Sequence, residues 1–236
     1  MTEKRSRYPY RYETHLHTSD GSSCARMTAR EQIKFYADRT YTGVFVTEHF
    51  WGNNACKVDR EAPFEEQVEQ YFAFSEQAKK YGEEYGLDVF CGIEYSYKGT
   101  DLLVYGLEKE TILKHPEIPD LKLHEFATLA RECGALVFQA HPFRLCKHTK
   151  ILRFLPRFVD GFETVNGSNT DHQNKMAGIF CRKYGLKKIA GSDNHGTNKG
   201  TLNFLAGVET TRRVKDEQDF VGIISEGKYR IFTEDI

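Results

Sequence analysis

Short apolar runs alternate along this chain with longer amphipathic segments, and this alternation limits the folds that the chain can adopt. Strands are predicted at 43–50, 87–97, 101–107, 135–143, 159–167 and 186–195. Helices are predicted at 28–40, 65–86, 120–134 and 170–185, the first from the capping-box pair Thr28 and Glu31. Alternating strands and helices predict an α/β protein with a mostly parallel sheet, open or closed into a barrel.

The rest of the chain fits the same scheme. A helix is predicted at 216–227 and a strand at 229–233, whereas 202–211 fits either a strand or an ordered loop. Residues 98–100 form a predicted turn between two strands, and 114–120 a predicted surface loop. No sequence repeat and no low-complexity segment is present. We expect one domain over 1–236, with 1–10 as a flexible N-terminal tail.

Side chains that bind metals recur where the predicted strands end. Five of the nine histidines lie at such ends, namely His15, His17, His49, His141 and His195. The acids Asp20, Glu94 and Asp193 lie at the same level, as do Glu163 and Asn166. Because the carboxyl ends of parallel strands line one face of an α/β protein, we expect these side chains to meet there.

The segment HLHTSD, residues 15–20, shows how the ligands would be supplied. An extended backbone turns His15 and His17 to one face, with Asp20 just past the strand end. Two imidazoles and a carboxylate that converge form a metal-ligand set. The five histidines together with Asp20, Glu94 and Asp193 make eight candidate ligands, which are too many for one tetrahedral ion, so two or three ions are predicted. With no cysteine at these positions, Zn²⁺, Mn²⁺ or Fe²⁺ fit best.

Composition excludes several classes of function. A formal net charge of -1 argues against a nucleic-acid-binding or membrane-surface protein. The basic residues Lys4, Arg5, Arg7 and Arg11 are therefore predicted to be solvated. No apolar run approaches the ~20 residues of a membrane span, and the start has no signal-peptide core. The six scattered cysteines form no CxxC pair, so we expect reduced thiols and a cytoplasmic location.

The motifs HLHTSDGS, TEH, GIEYS, QAHPFR and AGSDNH, in this order, resemble those of the PHP (polymerase and histidinol phosphatase) superfamily. The resemblance runs from about Glu13 to past Thr201. It implies a distorted (β/α)7 TIM-like barrel with a two- or three-metal centre at the carboxyl ends of the strands. Any one motif is weak, whereas HxH with SDG and a later GSDxH is specific.

Carried over motif by motif, the resemblance implies three metal positions. His15, His17, Glu94 and Asp193 would hold one ion, and Glu94 would bridge it to a second held by His141. Asp20, His49 and His195 would hold a third. Asp101 stands where the family usually has a ligand histidine. A carboxylate there would favour Mn²⁺ or Fe²⁺, or would point away and leave the second site weak or empty.

The resulting hypothesis is hydrolysis of a phosphate monoester on a small molecule, such as a sugar, nucleotide or amino-alcohol phosphate. A hydroxide bridging two metals would attack phosphorus in line. The predicted catalytic residues are Glu94, Asp193, His195 and Arg144, and Arg144 would also clamp the phosphate in bidentate fashion. Asn166 and His172 are further candidates for substrate contact.

Other functions stay open at this level. The family includes histidinol phosphatases, nucleotide phosphatases, cyclic phosphodiesterases and polymerase-associated exonucleases, and nothing in the chain selects an imidazole-bearing substrate. The near-neutral charge argues against a nucleic-acid substrate. A non-catalytic, metal-binding regulatory module is the alternative of another class, and Asp101 is the feature that points to it. The sequence does not indicate the oligomeric state.

Overall fold

The computed structural model of the protein describes residues 6–51, 55–145, 149–196 and 202–236. Lys4, Arg5, Cys146, His148 and the first half of the predicted tail lie outside these ranges. The strands are β1 Tyr10–Leu16, β2 Gly43–Val46, β3 His49–Phe50, β4 Asp88–Tyr97, β5 Thr100–Tyr105, β6 Leu136–Gln139, β7 Gly161–Asn166, β8 Lys187–Gly191, β9 Leu205–Thr210 and β10 Tyr229–Glu234. The helices are α1 Ala29–Ala37, α2 Phe64–Tyr85, α3 Lys109–Leu113, α4 Leu123–Glu132, α5 Asp171–Tyr184 and α6 Glu217–Ser225, with a 3₁₀ turn at Ile118–Asp120.

Strands β1, β2, β4, β5, β6, β7 and β8 follow one another around a nearly closed barrel. Neighbouring strands run parallel, except that β5 is antiparallel to both β4 and β6. The barrel closes where the chain leaving β8 meets β1. There the Asp193 N–H donates to the His15 carbonyl at 2.9 Å, and the His17 N–H to the Asn194 carbonyl at 3.2 Å. The predicted α/β class and the distorted seven-stranded barrel are therefore confirmed.

The antiparallel strand follows from the turn before it. Lys98 and Gly99 both have positive φ, 48° and 76°. Two consecutive residues of this kind make the tight turn that a two-residue hairpin requires, and glycine adopts it without a side-chain clash. The turn predicted at 98–100 is thus confirmed, and it leaves no room for a crossover helix between β4 and β5.

The last part of the chain extends the sheet beyond the barrel. Strand β9 pairs antiparallel with the first residues of β1, and β10 pairs antiparallel with β9. The segment 202–211, for which strand and ordered loop were both open, is therefore largely a strand. Strand β1 begins at Tyr10, within the segment predicted as a tail. That the chain forms a single domain stays a prediction.

The long helices begin and end where the sequence signals are. Thr28 and Glu31 form the predicted capping box of α1, and α5 stops at Gly185 in the left-handed conformation. Helix α3 and the 3₁₀ turn at 118–120, which lies inside the predicted surface loop, were not predicted, because such short elements show no periodicity. None of the described helices has the length and apolar character that a membrane crossing requires.

An aromatic layer fills the amino-terminal end of the barrel. Phe45 of β2 and Tyr105 of β5 lie against Phe220 of α6, with ring centroids 4.3 and 5.2 Å from it, and all three are fully buried. Phe90 of β4 joins this layer. Glu94, four residues later on the same strand, projects to the same side at the other end of the barrel. The alternation of β4 thus separates an apolar plug from a polar end.

Candidate metal centre

The polar end of the barrel gathers imidazoles and carboxylates into overlapping groups. In each group the candidate ligand atoms lie within 4.8 Å of one another. The groups are His15, His17 and Glu94; His15, His141 and Asp193; Glu94, Asp101 and His141; and His17, His49 and His195. Each of these residues was predicted as a metal ligand, and the fold brings them together from β1, β3, β4, β5 and the segments after β6 and β8.

The Glu94 carboxylate lies at the middle of these groups and is almost fully buried. Its Oε1 lies 3.3 Å from His15 Nε2 and 3.1 Å from His141 Nε2. Its Oε2 lies 3.3 Å from His17 Nε2 and 2.7 Å from His49 Nδ1. Each oxygen therefore faces two imidazoles, so Glu94 could contribute a ligand to more than one ion.

Two buried nitrogens indicate that the site fits a divalent cation. His15 Nε2 and His17 Nε2 are fully buried and have no hydrogen-bond partner among the described residues. Carboxylate oxygens of Glu94 and Asp193 approach them to 3.3–3.5 Å without the alignment of a hydrogen bond. Buried polar atoms are nearly always paired, so the two nitrogens and the facing oxygens of Glu94 and Asp193 form a set that a bound ion would satisfy.

The charges of the metal-free site balance one another. Burial alone would lower the pKa of His15, but Asp193, Glu163 and Glu94 raise it well above its usual range. Burial alone would raise the pKa of Asp193, but His15 and Arg144 bring it well below its usual range. The shifts favour the ionised form of Asp193 and the protonated form of His15, and a divalent cation bound there would replace that proton.

A buried carboxylate behind the site, Glu163 of β7, orients the ligands. Its Oε1 lies 2.8 Å from His15 Nδ1, and its Oε2 accepts hydrogen bonds from the His141 backbone N–H and from Asn166 Nδ2. A partner on Nδ1 leaves the Nε2 lone pair of His15 for a cation. Sequence reasoning placed Glu163 at a strand end but gave it no role, because its function depends on contacts across the barrel.

Glu13 similarly fastens β1 to the chain after β8. Its carboxylate accepts hydrogen bonds from the backbone N–H groups of Thr14, His15 and Ser192 and from the Tyr36 hydroxyl. Burial raises the pKa of this carboxyl to about 7 despite these donors. Glu13, a buried acid that the sequence analysis did not identify, thus holds together the two segments that carry His15 and Asp193.

Two of the candidate ligands lie on unusual backbone. His141 and Asp193 have φ values of 28° and 56°, in the region that favours glycine. Such residues cost about 1–3 kcal/mol each and cluster at functional sites. Here the strain turns both side chains from the ends of β6 and β8 toward Glu94 and His15.

Comparison with known proteins rests on structure, because the sequence matches no family profile and no curated protein sequence. A two-domain protein from Bacteroides vulgatus, with a domain predicted to be a PHP-like metal-dependent phosphoesterase, superposes with a TM-score of 0.68. The identity is 14%, over 99% of this chain and 70% of the other. The chain has the PHP-type barrel fold.

Two further structures share this barrel fold. A provisionally named metal-dependent phosphoesterase from Bifidobacterium adolescentis has a TM-score of 0.56 and 13% identity, over 91% of this chain and 95% of its own. An amidohydrolase from Chromobacterium violaceum, with bound sulfate and no metal, has a TM-score of 0.54 and 12% identity, over 79% and 88%. At such identities the likeness concerns the fold.

Within this PHP-type barrel, Arg144 is already bonded to the protein. Its Nη1 donates to Asp193 Oδ2 at 2.6 Å, Nη2 to Asn166 Oδ1 at 2.7 Å, and Nε to Asn169 Oδ1 at 2.7 Å. The two carboxylate oxygens of Asp193 therefore have different partners, since Oδ2 accepts from Arg144 while Oδ1 faces His15 and His17. Arg144 thus positions a ligand, a role that the sequence analysis did not assign to it.

The other two predicted substrate residues, Asn166 and His172, lie in different surroundings. Asn166 is fully buried, and its amide links Arg144 to Glu163. His172 is exposed in the first turn of α5 and belongs to none of the donor groups. A substrate contact by either side chain stays a prediction.

Asp20, predicted as a ligand of the third ion, is placed elsewhere. It is exposed, and its Oδ2 accepts a hydrogen bond from the Ala29 N–H at 2.6 Å. The first N–H groups of a helix have no partner within the helix, so the start of α1 competes for this carboxylate. Asp20 belongs to none of the donor groups, so its role as a ligand of the third ion stays a prediction.

Cys24 lies instead beside the third group. Burial alone would raise the pKa of its thiol, but hydrogen bonds with His195 and His49 lower it to about 5. Among the described residues, none of the donor groups includes Cys24. The nearest signal in the sequence was only that Cys24 follows the HLHTSD motif by four residues.

A shallow cleft opens next to the second group. Asp101, His141, Arg144 and Arg153 are among the residues that line it. A larger cavity of about 700 Å³ borders the amino-terminal half of β4. Residues of α2, α3 and the start of α6 line it, and none of the donor groups lies in it. We take the small cleft as the substrate side, because it adjoins the ligands.

Proposed function

We propose that this protein is a metal-dependent phosphoesterase that hydrolyses phosphate monoesters of small molecules. The observation that carries the proposal is the convergence of unpaired, buried imidazole nitrogens on a shared carboxylate, beside a cleft with two arginines. The nitrogens belong to His15 and His17 and the carboxylate to Glu94. Two solved structures of this fold carry the name of metal-dependent phosphoesterase, which supports the proposal.

The donor groups indicate which side chains would hold the ions. His15, His17 and Asp193 would serve one ion, Asp101 and His141 a second, with Glu94 between them. His49 and His195 would serve a third. When bound, such ions neutralise charge on a phosphoryl group and activate water at neutral pH.

The arginines provide the charge that a phosphate requires. Three nitrogens of Arg144 each donate one hydrogen bond to the protein, so two of the five N–H groups of the guanidinium stay available within the described structure. Arg153 lies on the same cleft and donates through Nη1 to the Lys98 carbonyl at 2.8 Å. Planar guanidinium groups at one cleft would orient a phosphate in bidentate fashion.

Asp101 bears on the alternative of a non-catalytic module. Its Oδ2 lies 3.8 Å from His141 Nε2, and it forms a donor group with His141 and Glu94. Burial, and then the charge of Glu94, raise the pKa of this carboxyl, as expected for an acid that faces another acid. Asp101 thus points into the site, so the departure from the family pattern does not favour a module without turnover.

Phosphate release from p-nitrophenyl phosphate with added Mn²⁺, Zn²⁺ or Fe²⁺ tests the proposal. We expect Asp193→Ala and His141→Ala to lower the rate at least about 100-fold, since even an indirect contact to a metal ligand accounts for 10- to 100-fold. His124→Ala is the matched control, because this histidine is exposed on α4, away from the donor groups. Equal rates in the parent and all three variants would remove the catalytic assignment.

A screen of phosphorylated metabolites, including nucleoside monophosphates and histidinol phosphate, would identify the leaving group. Bis-p-nitrophenyl phosphate in the same screen separates monoester from diester hydrolysis. We expect monoesters to be preferred, because both arginines border one small cleft and a monoester carries the greater negative charge. Faster turnover of the diester would replace the proposal with a phosphodiesterase.

A further inference from the structure

Another cavity lies between helix α5 and the sheet. Its volume is about 310 Å³, and residues of α5, β7, β8 and β10 line it. Pockets for small molecules span roughly 300–1,000 Å³, so the cavity is large enough for a small ligand. None of the residues that line it belongs to the donor groups of the metal centre.

The cavity carries positive charge that the protein does not neutralise. Lys175, Arg182 and Lys188 line it, and no acidic side chain does. Among the described residues, none of these three side chains has an ion-pair or hydrogen-bond partner. In the cavity of about 700 Å³, by contrast, Lys109 is paired with Glu69 at 2.5 Å. Like charges that share a cavity repel one another, and a bound anion would relieve that repulsion.

Helix α5 presents two of the cations on one stripe. Lys175, Gly178 and Arg182 follow one another at spacings of three and four residues, so they lie on the same face of the helix. A Cβ added to Gly178 would meet nothing nearer than Arg182 Nη1 at 3.6 Å. Packing therefore does not require this glycine, although glycine weakens a helix relative to alanine. Its effect is to leave open space between the two cations.

The helix dipole explains only part of this charge. A basic residue in the last turn of a helix is stabilised by the carbonyl end, and Arg182 and Lys183 lie in that turn. Lys175 is the fifth residue of α5 and gains nothing from this effect, which is confined to the end of the helix. Lys188 lies on β8, outside the helix. A bound anion accounts for all the cations of the cavity together.

A buried hydroxyl provides a separate indication of a ligand. Thr164 lines the same cavity and is buried, and its Oγ1 has no hydrogen-bond partner among the described residues. The register of β7 against β8 shifts by one residue between Glu163 and Val165, so Thr164 is the extra residue of a β-bulge. Buried hydroxyls are nearly always paired, and a ligand in this cavity would supply the missing partner.

The walls of the cavity are fastened to one another within the protein. The Asn166 N–H of β7 donates to Asn174 Oδ1 of α5 at 3.1 Å, and Asn174 Nδ2 donates to the Asn166 carbonyl at 3.1 Å. The Tyr229 hydroxyl of β10 donates to the Lys188 carbonyl of β8 at 2.7 Å. Because these elements are already held in place, a ligand would have little backbone to order.

We propose that this cavity binds the phosphate group of a small molecule through Lys175, Arg182, Lys188 and the hydroxyl of Thr164. A guanidinium can donate two parallel hydrogen bonds to a phosphate, and lysines supply point charges. Ile231 adds an apolar surface for the organic part of an ester, and the volume limits the ligand to a small one. The site goes beyond the proposed hydrolysis, because it requires no metal ion.

Calorimetric titration of the full-length protein, without added metal, with inorganic phosphate and with glycerol 3-phosphate tests the proposal. We expect Arg182→Gln and Lys175→Gln each to weaken binding about 10- to 100-fold, because each removes a charged donor to the phosphate. Lys183→Gln is the matched control, since Lys183 is exposed in the same turn as Arg182 but does not line the cavity. It should bind phosphate as the parent does. Tighter binding of the ester than of free phosphate would identify an ester as the ligand.

Thr164→Val provides a second variant that keeps the shape of the side chain. It removes an unpaired buried hydroxyl, so urea unfolding should show equal or higher stability. We expect phosphate binding to weaken several-fold nonetheless. Unchanged affinity in this folded variant would contradict a hydrogen bond from the hydroxyl to the phosphate.

The outcomes separate this site from the metal centre and from other ligands. If Arg153→Gln abolishes phosphate binding and Arg182→Gln does not, phosphate binds at the cleft beside the metal centre and the proposal is overturned. Tighter binding of a single-stranded DNA oligomer than of glycerol 3-phosphate would replace the small molecule with a nucleic acid. Phosphate binding that depends on Arg182, in a protein that hydrolyses no phosphate ester, would contradict the proposed function alone.

Discussion

The substitution Glu163→Gln tests the structure at the point where ligand orientation is decided. Glu163 Oε2 accepts two hydrogen bonds, from the His141 N–H and from Asn166, and Oε1 faces His15 Nδ1. A glutamine has one acceptor oxygen. If that oxygen keeps the two donors, the new NH₂ group faces His15 and drives the ring proton to Nε2, the atom directed at the centre.

The magnitude follows from this tautomer. Carboxylates that accept a hydrogen bond from a metal-bound histidine typically account for 10- to 100-fold in metal affinity, or about 1.4–2.7 kcal/mol. The opposite orientation of the glutamine leaves the His141 N–H and Asn166 without an acceptor, at about 1–3 kcal/mol each. Either way we expect zinc affinity to fall about 10- to 100-fold.

The assay is competition for Zn²⁺ against a chromophoric chelator, with urea unfolding of the metal-free protein measured in parallel. Glu209→Gln is the matched control, because Glu209 is also a buried carboxylate with cationic partners, Arg11 and Arg230, but lies on β9 away from the donor groups. It should lose stability and keep its metal affinity.

One result would refute the reasoning. If Glu163→Gln is folded and binds zinc within about threefold of the parent, then Glu163 does not set the His15 tautomer. A loss of affinity in Glu209→Gln of the same size would show that the assay reports stability rather than ligand orientation.

Other consequences can be checked on the same protein. Gly191→Ala should be strongly destabilising and weaken metal binding, because the added Cβ would lie 2.4 Å from the Cβ of His15. Gly178→Ala in α5 is the control, because the added Cβ would meet no atom nearer than 3.6 Å. In urea unfolding, this control should be neutral or stabilising by up to about 1 kcal/mol. Asp219→Asn should lower stability by about 0.5–1 kcal/mol near neutral pH, because the hydrogen bond from the half-exposed Arg212 lowers the pKa of Asp219 below 3.8. That stabilisation is complete above the ordinary pKa of 3.8 and is lost as the pH falls through the lower pKa of the folded state. The free energies of unfolding of parent and variant should therefore differ by a constant amount from about pH 8 to 5. A difference that narrows within this range would contradict the assignment. Zinc at 100 times its dissociation constant should add about 2.7 kcal/mol and raise the melting temperature by about 5–10 °C, and calorimetry showing no shift would argue against a folded-state metal site.

Local patterns determined most of the elements. The capping box at Thr28, the glycine that ends α5 and the turn at Lys98 and Gly99 are each set by a few neighbouring residues, so they could be predicted. Helix α3 could not, because five residues carry too little periodicity to stand out, and β3 was predicted only as the end of one strand over 43–50.

The candidate ligands were predictable for a related reason. His15 and His17 share a face because a strand has a period of two, and Glu94, His141 and Asp193 lie where strands end, so a parallel barrel brings all of them to one end. That inference requires only strand positions and the direction of the chain, both of which are readable from the sequence.

The tertiary structure alone decided which neighbours those ligands have. Glu163 reaches His15 across 148 positions of sequence, and Arg144 reaches Asp193 across 49. Likewise, the start of α1 takes the carboxylate of Asp20, while a turn bonded to Ala55 and His195 brings Cys24 to the metal side. Sequence patterns report periodicity within an element, whereas these contacts depend on how separate elements pack, and packing is specified by the whole chain at once.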